Sequence, residues 1–237
     1  MAEQLGSWQS DTYAVEWASD DVLAGLLELP RRISAALVSD SGIDVGHVID
    51  VGSGQGTYLE CFLRAFPAAR GTWVDANEAM RDLARERLAE FGVRVAYVLA
   101  DVERLGELDL DAADVITTSR VLHHFSAESL QRTYRAAYEL LVPGGFLFNL
   151  DHIGAPGSWD ERYRRIREQF TGPRKRELKP HRHDYPLAGP DEHLRSIIDA
   201  GFETPDVGWR TFYTVLLVAR RAPSARTARR AGSASTR

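Results

Sequence analysis

Five short apolar runs separated by helix-length stretches constrain this chain more than any other feature. The runs HVIDV, GTWVD, RVAYVL, DVITTS and GFLFNLD begin at His47, and each is too continuously apolar to keep one face in water. Strands buried on both faces need helices on both sides, so the alternation predicts βαβ units and an α/β, three-layer αβα sandwich around a parallel sheet. Helices are expected over 56–66, 76–91 and 127–141, a weaker one over 103–107, and further ones over 158–170 and 190–200. Pro143-Gly144-Gly145 reads as the turn that ends the helix at 127–141 and launches the strand after it. The β-branched and aromatic stretch from Arg210 to Ala219 suits a terminal strand antiparallel to the rest, with 203–208 as its shorter partner. Upstream, Ser19 is placed to cap a helix carrying Val22, Leu23, Leu26 and Leu27, and Pro30 opens a second helix that stops at Gly42.

With 237 residues, 44% of them hydrophobic and 27% charged, the chain can bury a core of its own, which excludes a disordered, collagen-like or disulfide-scaffold protein. The single cysteine, Cys61, excludes a redox cysteine pair and a cysteine-rich zinc module. No apolar run approaches the ~20 residues that cross a bilayer, and MAEQLGSWQSDTYAVEW lacks the charged start and apolar stretch of a signal peptide, so a cytoplasmic location is expected. The last eighteen residues, from Arg220, hold six Arg and no acid, which leaves the rest more acidic than the net charge of −5 suggests. The expected organisation is an N-terminal helical cap over 1–46, one α/β domain over 47–220 and a disordered basic tail over 221–237. Nucleic acid is the less favoured partner, because the body around that tail is acidic.

Val48-Ile49-Asp50-Val51-Gly52-Ser53-Gly54-Gln55-Gly56-Thr57 is a buried strand opening into a glycine turn and a helix. Glycines there let the backbone pass close to a ligand. A dinucleotide fingerprint wants Gly-x-Gly-x-x-Gly, whereas this loop is Gly-x-Gly-x-Gly with an acid two residues ahead of it. Asp75 ends the second apolar run, 19 residues after Gly56, where a carboxylate can accept both hydroxyls of a ribose. Asp101 ends the third run and is placed to meet an adenine amino group. Singly, each Asp reads as a helix cap or loop residue; three at successive strand ends point to a nucleoside cofactor.

With these motifs in place the chain resembles the class I S-adenosylmethionine-dependent methyltransferases over about residues 47 to 219. The matching segments are Val48 to Gly56, WVDANEAM, VLADV, DVITTSRVLHHF, LVPGGF and GFETPDVGWRTFYTVLLVAR. The resemblance implies a Rossmann-like, seven-stranded, mostly parallel sheet with an antiparallel last strand, and S-adenosylmethionine across the strand ends, leaving as S-adenosylhomocysteine. By position it implies that Asp50, Gly52, Ser53, Gly54 and Gly56 hold the methionine part and Asp75 the ribose. Asn77 and Met80 would border the adenine, Asp101 and Val102 would bond its edge, and Ser119 would face the sulfonium.

Methyl transfer asks for alignment, exclusion of water and, for a hydroxyl, carbon-acid or ammonium acceptor, removal of a proton, for which histidine is best matched. His123 and His124 follow the fourth strand, with a packing role as strong a reading as catalysis; His152 ends the fifth, and His181 and His183 sit in the loop KPHRHDYP. His124, with His152 or His183, is the expected proton acceptor. A metal triad of His181, His183 and Asp151 is the lesser alternative, and no metal is expected. Residues 159–183 carry nine Arg or Lys against four acids, which reads first as a solvated helix face and second as a grip on an anionic acceptor or a tRNA backbone. Trp159, Tyr185, Trp209, Phe212, Tyr213 and, near the start, Trp8, Tyr13 and Trp17 fall where an acceptor lid is built.

The expected function is therefore methyl transfer to a small organic acceptor, plausible in secondary metabolism, with no membrane partner and a homodimer allowed for. The alternatives are the same cofactor used on a tRNA wobble base or in a cyclisation, and a non-catalytic cofactor-binding subunit.

Overall fold

Alternating apolar runs become a single sheet in the computed structural model, which describes residues 21–171 and 185–224. In chain order the elements are α1 (Asp21–Asp40), β1 (His47–Val51), α2 (Thr57–Ala65), β2 (Arg70–Asp75), α3 (Glu78–Arg87), β3 (Val95–Leu99), β4 (Ala113–Ser119), α4 (Ala127–Leu140), β5 (Leu141–His152), α5 (Gly157–Thr171), α6 (Pro190–Ala200), β6 (Asp206–Thr211) and β7 (Thr214–Arg220). Short 3₁₀ turns cover Ala89–Arg94, Val102–Glu107 and Leu122–His124.

The seven strands run in the order β3-β2-β1-β4-β5-β7-β6, parallel through β5, with β7 antiparallel to both of its neighbours. The chain leaves β1 toward β2 on one side and returns as β4 on the other, the reversal at which open α/β sheets leave a crevice beyond the carboxyl ends of their strands. Helices α1, α2 and α3 cover one face, where Leu27, Val38, Phe62, Trp73, Met80 and Phe148 form one buried layer. On the other face α4 and α6 enclose Ile49, Ile116, Tyr134, Leu147 and Ile197. Strand parity thus sorts the residues at the rim: Asp50, Thr117 and His152 belong to the α1–α2 face, Asn149 and Asp151 to the α4–α6 face.

Four local expectations are corrected. The two upstream helices are one, α1, with Pro30 inside it; Leu27, Pro30, Ser34 and Val38 form one buried stripe, and packing that stripe outweighs the amide hydrogen bond that Pro30 lacks. Pro143-Gly144-Gly145 lies within β5 as a bulge, because Leu141 already pairs with Ala113 and the register slips before Val115 meets Phe146. The stretch from Arg210 is two strands, with the reversal at Phe212 and Tyr213 between β6 and β7. Arg221 belongs to the fold and not to a tail: its N–H donates to the Gly145 carbonyl at 2.9 Å and its guanidinium lies 4.6 Å from the Tyr138 ring centroid. Ser19, Trp8, Tyr13, Trp17 and the remainder of the tail from 225 onward lie outside the described residues.

A buried polar chain fastens β5 to α4 and α6. The Asn149 amide donates to the Tyr134 hydroxyl at 2.8 Å, and that hydroxyl is 2.7 Å from His193 Nδ1. Burial pushes His193 down to about 4, so its imidazole is neutral at physiological pH. Tyr134→Phe leaves both partners buried and unsatisfied, and is expected to cost ~1–3 kcal/mol in urea unfolding. An unchanged midpoint would show that the chain contributes nothing to stability.

Candidate functional site

Asp50 is the residue on which the rim is built. It is fully buried near the end of β1; one carboxylate oxygen accepts the Ser53 hydroxyl at 2.5 Å and the Leu59 N–H at 3.3 Å, and the other accepts the Thr117 hydroxyl at 2.7 Å. Those bonds tie the glycine loop, the first turn of α2 and β4 to one group. Desolvation still exceeds what they return, and Asp50 is pushed up to about 6.

The loop is held from the β2 side as well. Gly52 and Ser53 donate to the Val74 carbonyl, Gly54 N–H donates to Asp75 Oδ2 at 2.9 Å, and Trp73 Nε1 donates to the Gly54 carbonyl at 2.7 Å. Two of its glycines serve different needs. Gly52 has φ 66°, and a Cβ there would stand 2.2 Å from a Val121 methyl, so the position is closed to any other residue. Gly54 also has a positive φ, 52°, yet a Cβ would meet only the Met80 sulfur at 4.0 Å; the space above it is an open cradle.

Asp75, Asn77 and Met80 lie beside this cradle, and Asp101 and Ser119 sit at other strand ends. Asp75 is raised by burial and accepts from Gly54 and Asn77. Asn77 caps α3 through Met80 N–H at 2.9 Å, and Asn77 and Met80 are buried. Asp101 is exposed at the end of β3, capping the turn that begins at Val102. The Ser119 hydroxyl at the end of β4 is buried without a hydrogen-bond partner among the described residues.

Sequence reasoning missed Arg31. This α1 residue places its guanidinium 5.9 Å from the Tyr58 ring centroid and within electrostatic reach of Asp50, with Nε buried and lacking a hydrogen-bond partner among the described residues. A basic pair after Pro30 reads as solvent-facing, and nothing local in the sequence signals that α1 folds back over the loop.

The histidines sort themselves by face. His123, buried, sets Nδ1 2.6 Å from Asp151 Oδ1, and Asp151 also accepts the backbone N–H groups of His123 and His152. The His123 imidazole and its N–H bonds hold the Asp151 carboxyl well below the usual range despite burial. His152 stacks on Tyr213 with centroids 5.3 Å apart, and burial with the Arg120 guanidinium drives its imidazole far down, so it is neutral. The His124 ring centroid is 4.0 Å from that of His123. His181 and His183 lie outside the described residues; Asp151, the third member of the alternative metal triad, is engaged by His123, and no group of three metal-binding side chains occurs among the described residues.

Residues 48–145 match the methyltransferase-domain family. Over this stretch the chain is similar to methyltransferase domains. Aclacinomycin 10-hydroxylase RdmB of Streptomyces purpurascens is 35% identical over 120 residues, 50% of this chain and 31% of that protein. The ubiquinone biosynthesis O-methyltransferase of Serratia proteamaculans is 32% identical over 119 residues, 50% of this chain and 48% of the relative. The matched part of this chain therefore spans about half or less of each relative. A putative O-methyltransferase from Nostoc punctiforme shares the fold at TM-score 0.67 and 17% identity, covering 93% of this chain and 64% of its own. Human N-acetylserotonin methyltransferase in complex with its cofactor does so at TM-score 0.63 and 14% identity, covering 91% and 57%.

The methyltransferase cofactor ends in an amino acid, an ammonium beside a carboxylate, and the site offers the buried acid Asp50 with, within its electrostatic reach, the Arg31 guanidinium, whose Nε has no hydrogen-bond partner among the described residues. The residues fit the group. Because the folded state raises Asp50 from 3.8 to about 6, it binds more protons there than the unfolded chain, and Asp50's contribution to stability falls as pH rises through that window. Carbon-detected NMR titration of the ligand-free protein is expected to place the Asp50 midpoint near 6. A midpoint near 3.8 would mean that the carboxylate is hydrated and the rim is open.

Proposed function

We propose that the protein transfers the methyl group of S-adenosylmethionine to a small organic acceptor. The observation that carries this reading is the buried Asp50 anchoring the glycine loop with the Arg31 guanidinium within its electrostatic reach: opposite charges at one rim complement a zwitterion, whereas a dinucleotide pyrophosphate would be repelled by Asp50. Arg31 would hold the cofactor's carboxylate, with Asp50 and Ser53 at its ammonium end and Asp75 at the ribose. Asn77, Met80, Asp101 and Val102 would border the adenine, and Ser119 would face the sulfur. Bound there, the cofactor supplies a methyl carbon activated by positive sulfur.

The remaining work falls to the protein. The rim must align the acceptor and exclude water. Asp151 fixes the His123 tautomer with Nδ1–H toward itself and stabilises any positive charge the ring acquires, the role a carboxylate plays beside an imidazole that takes up a proton. We assign the acceptor's proton to this cluster, with His124 and His152 beside the dyad. The single thiol Cys61 suits a reducing cytoplasm, and among the described residues no helix is long and apolar enough to cross a membrane.

A second reading is favoured by one observation, that a relative matched over the same half of the chain is named a hydroxylase. Incubation with methyl-labelled S-adenosylmethionine and a small-molecule extract of the source cells separates the readings by product mass. A labelled methyl gained by a small molecule is the expected result, and His123→Gln should slow it by ~10²–10⁴-fold with cofactor affinity preserved. Gain of an oxygen, label found only in RNA, or undiminished turnover per folded His123→Gln molecule would contradict the transfer, the acceptor class and the dyad respectively.

A further inference from the structure

Tyr213 is held more tightly than a hairpin reversal requires. Its carbonyl accepts the Ile153 N–H at 2.7 Å, which pins the backbone to the residue after His152. Its hydroxyl, at the far end of the side chain, donates both to the Asp160 backbone carbonyl at 2.9 Å and to Asp160 Oδ1 at 2.8 Å. Burial and the bond to Asp160 raise that hydroxyl above its usual range, so it stays protonated and donating at neutral pH. Between these two ends the ring is buried. It lies on the His152 imidazole with centroids 5.3 Å apart and planes 25° from parallel, and it meets the Tyr163 ring edge-on at 5.9 Å.

The chain accepts strain to put the ring there. Phe212, one residue earlier, has φ 53°, a left-handed backbone at a bulky residue, and its carbonyl accepts from Arg210 Nε at 3.0 Å. Such strain persists only where the surroundings over-determine the conformation. Asp160 and Tyr163 stand three apart on one face of α5, so the helix meets the hairpin with a carboxylate on the hydroxyl and a ring on the ring. Asp160 is itself steadied by Arg164, one turn further along α5.

What these contacts fix is the plane of His152. An imidazole hydrogen-bonds through its two ring nitrogens, in the plane of the ring, so stacking one face on a rigid neighbour sets the plane in which it can donate or accept. The same imidazole is 6.0 Å from that of His123, at 63° to it, and His123 is bonded to Asp151. Hydrogen bonds and ring contacts thus run from α5 to the dyad through Asp160, Tyr213, His152, His123 and Asp151.

We propose that Asp160 is a positioning residue for the methyl transfer, acting through Tyr213 to set the plane of His152 beside the His123–Asp151 dyad. The assignment rests on the methyltransferase reading and on the place given there to the dyad. It gives α5, which lies outside the stretch matched to methyltransferase domains, a part in orienting the acceptor.

Three variants separate this role from a purely structural contact. Tyr213→Phe keeps the ring and removes the hydroxyl, Asp160→Ala removes the carboxylate and leaves the backbone carbonyl, and Asp160→Asn keeps a side-chain oxygen that can accept. Each is compared in the full chain by proton NMR of the His152 imidazole, by calorimetric affinity for S-adenosylhomocysteine, and by the rate per folded molecule at which label passes from methyl-labelled S-adenosylmethionine to the small-molecule extract. Tyr213→Phe is expected to move the His152 ring-proton signals downfield as the stack loosens and to slow transfer by about tenfold; Asp160→Ala should move both the same way, with a rate loss of about threefold, and cofactor affinity should hold in each. The double variant should match Tyr213→Phe alone, and Asp160→Asn should stay near the unmodified rate. His152 signals that do not move, a melting temperature that falls while the rate holds, or losses that multiply in the double variant would overturn the assignment. If the unmodified protein transfers no label, the methyltransferase reading fails instead, and the His152 signals still judge whether Asp160 acts through Tyr213.

Discussion

The buried carboxylate of Asp50 is the constraint on which the rest depends. Its three acceptor bonds reach β1's own loop, the N-terminal turn of α2 and the neighbouring strand β4, so the elements on both sides of the sheet's switch point share one anchor. An unpaired acid in such a place would cost several kcal/mol, and here it remains strained toward protonation at about 6. Arg31 lies within electrostatic reach of this carboxylate, and its Nε lacks a hydrogen-bond partner among the described residues.

From Asp50 the site extends along the carboxyl ends of the strands, and strand parity divides its labour. The α1–α2 face holds Asp50, the glycine loop and Asp75, joined by the bonds of Ser53 to Asp50 and of Gly54 to Asp75. The α4–α6 face holds Asp151, which fixes His123 from beneath. His152 lies where the antiparallel hairpin of β6 and β7 brings Tyr213 over the end of β5. Because β7 runs antiparallel to β5, with Thr214 opposite His152, the reversal at Phe212 and Tyr213 falls at the carboxyl end of β5.

What the sequence made legible was local or periodic. The βαβ alternation, the seven strands and the glycine loop could be read because each rests on contiguous residues whose spacing has one physical meaning. Asp75 could be placed because strand length fixes its distance from the loop. The misreadings share a different character. Pro30 reads as a helix start because a proline is most at home there, and only the buried stripe from Leu27 to Val38 explains why the helix runs through it. The reversal at Phe212 was hidden because aromatic and β-branched residues continue on both sides, with no glycine or asparagine to mark a turn. The place of Arg31 near Asp50 and the contact of Asp151 with His123 depend on segments far apart in the chain, which no local pattern carries. His183 lies outside the described residues, so its place beside His124 and His152 rests on sequence alone.

The central claim is that this rim is shaped for a sulfonium nucleoside with an amino-acid end and not for a dinucleotide. Side-by-side calorimetric titration of the unmodified protein with S-adenosylhomocysteine and with NAD⁺ tests it most directly. The account predicts one molecule of S-adenosylhomocysteine bound per chain at about micromolar affinity or tighter, ~8 kcal/mol, and no saturable heat from NAD⁺. Saturable binding of NAD⁺ by folded protein that ignores S-adenosylhomocysteine would contradict it.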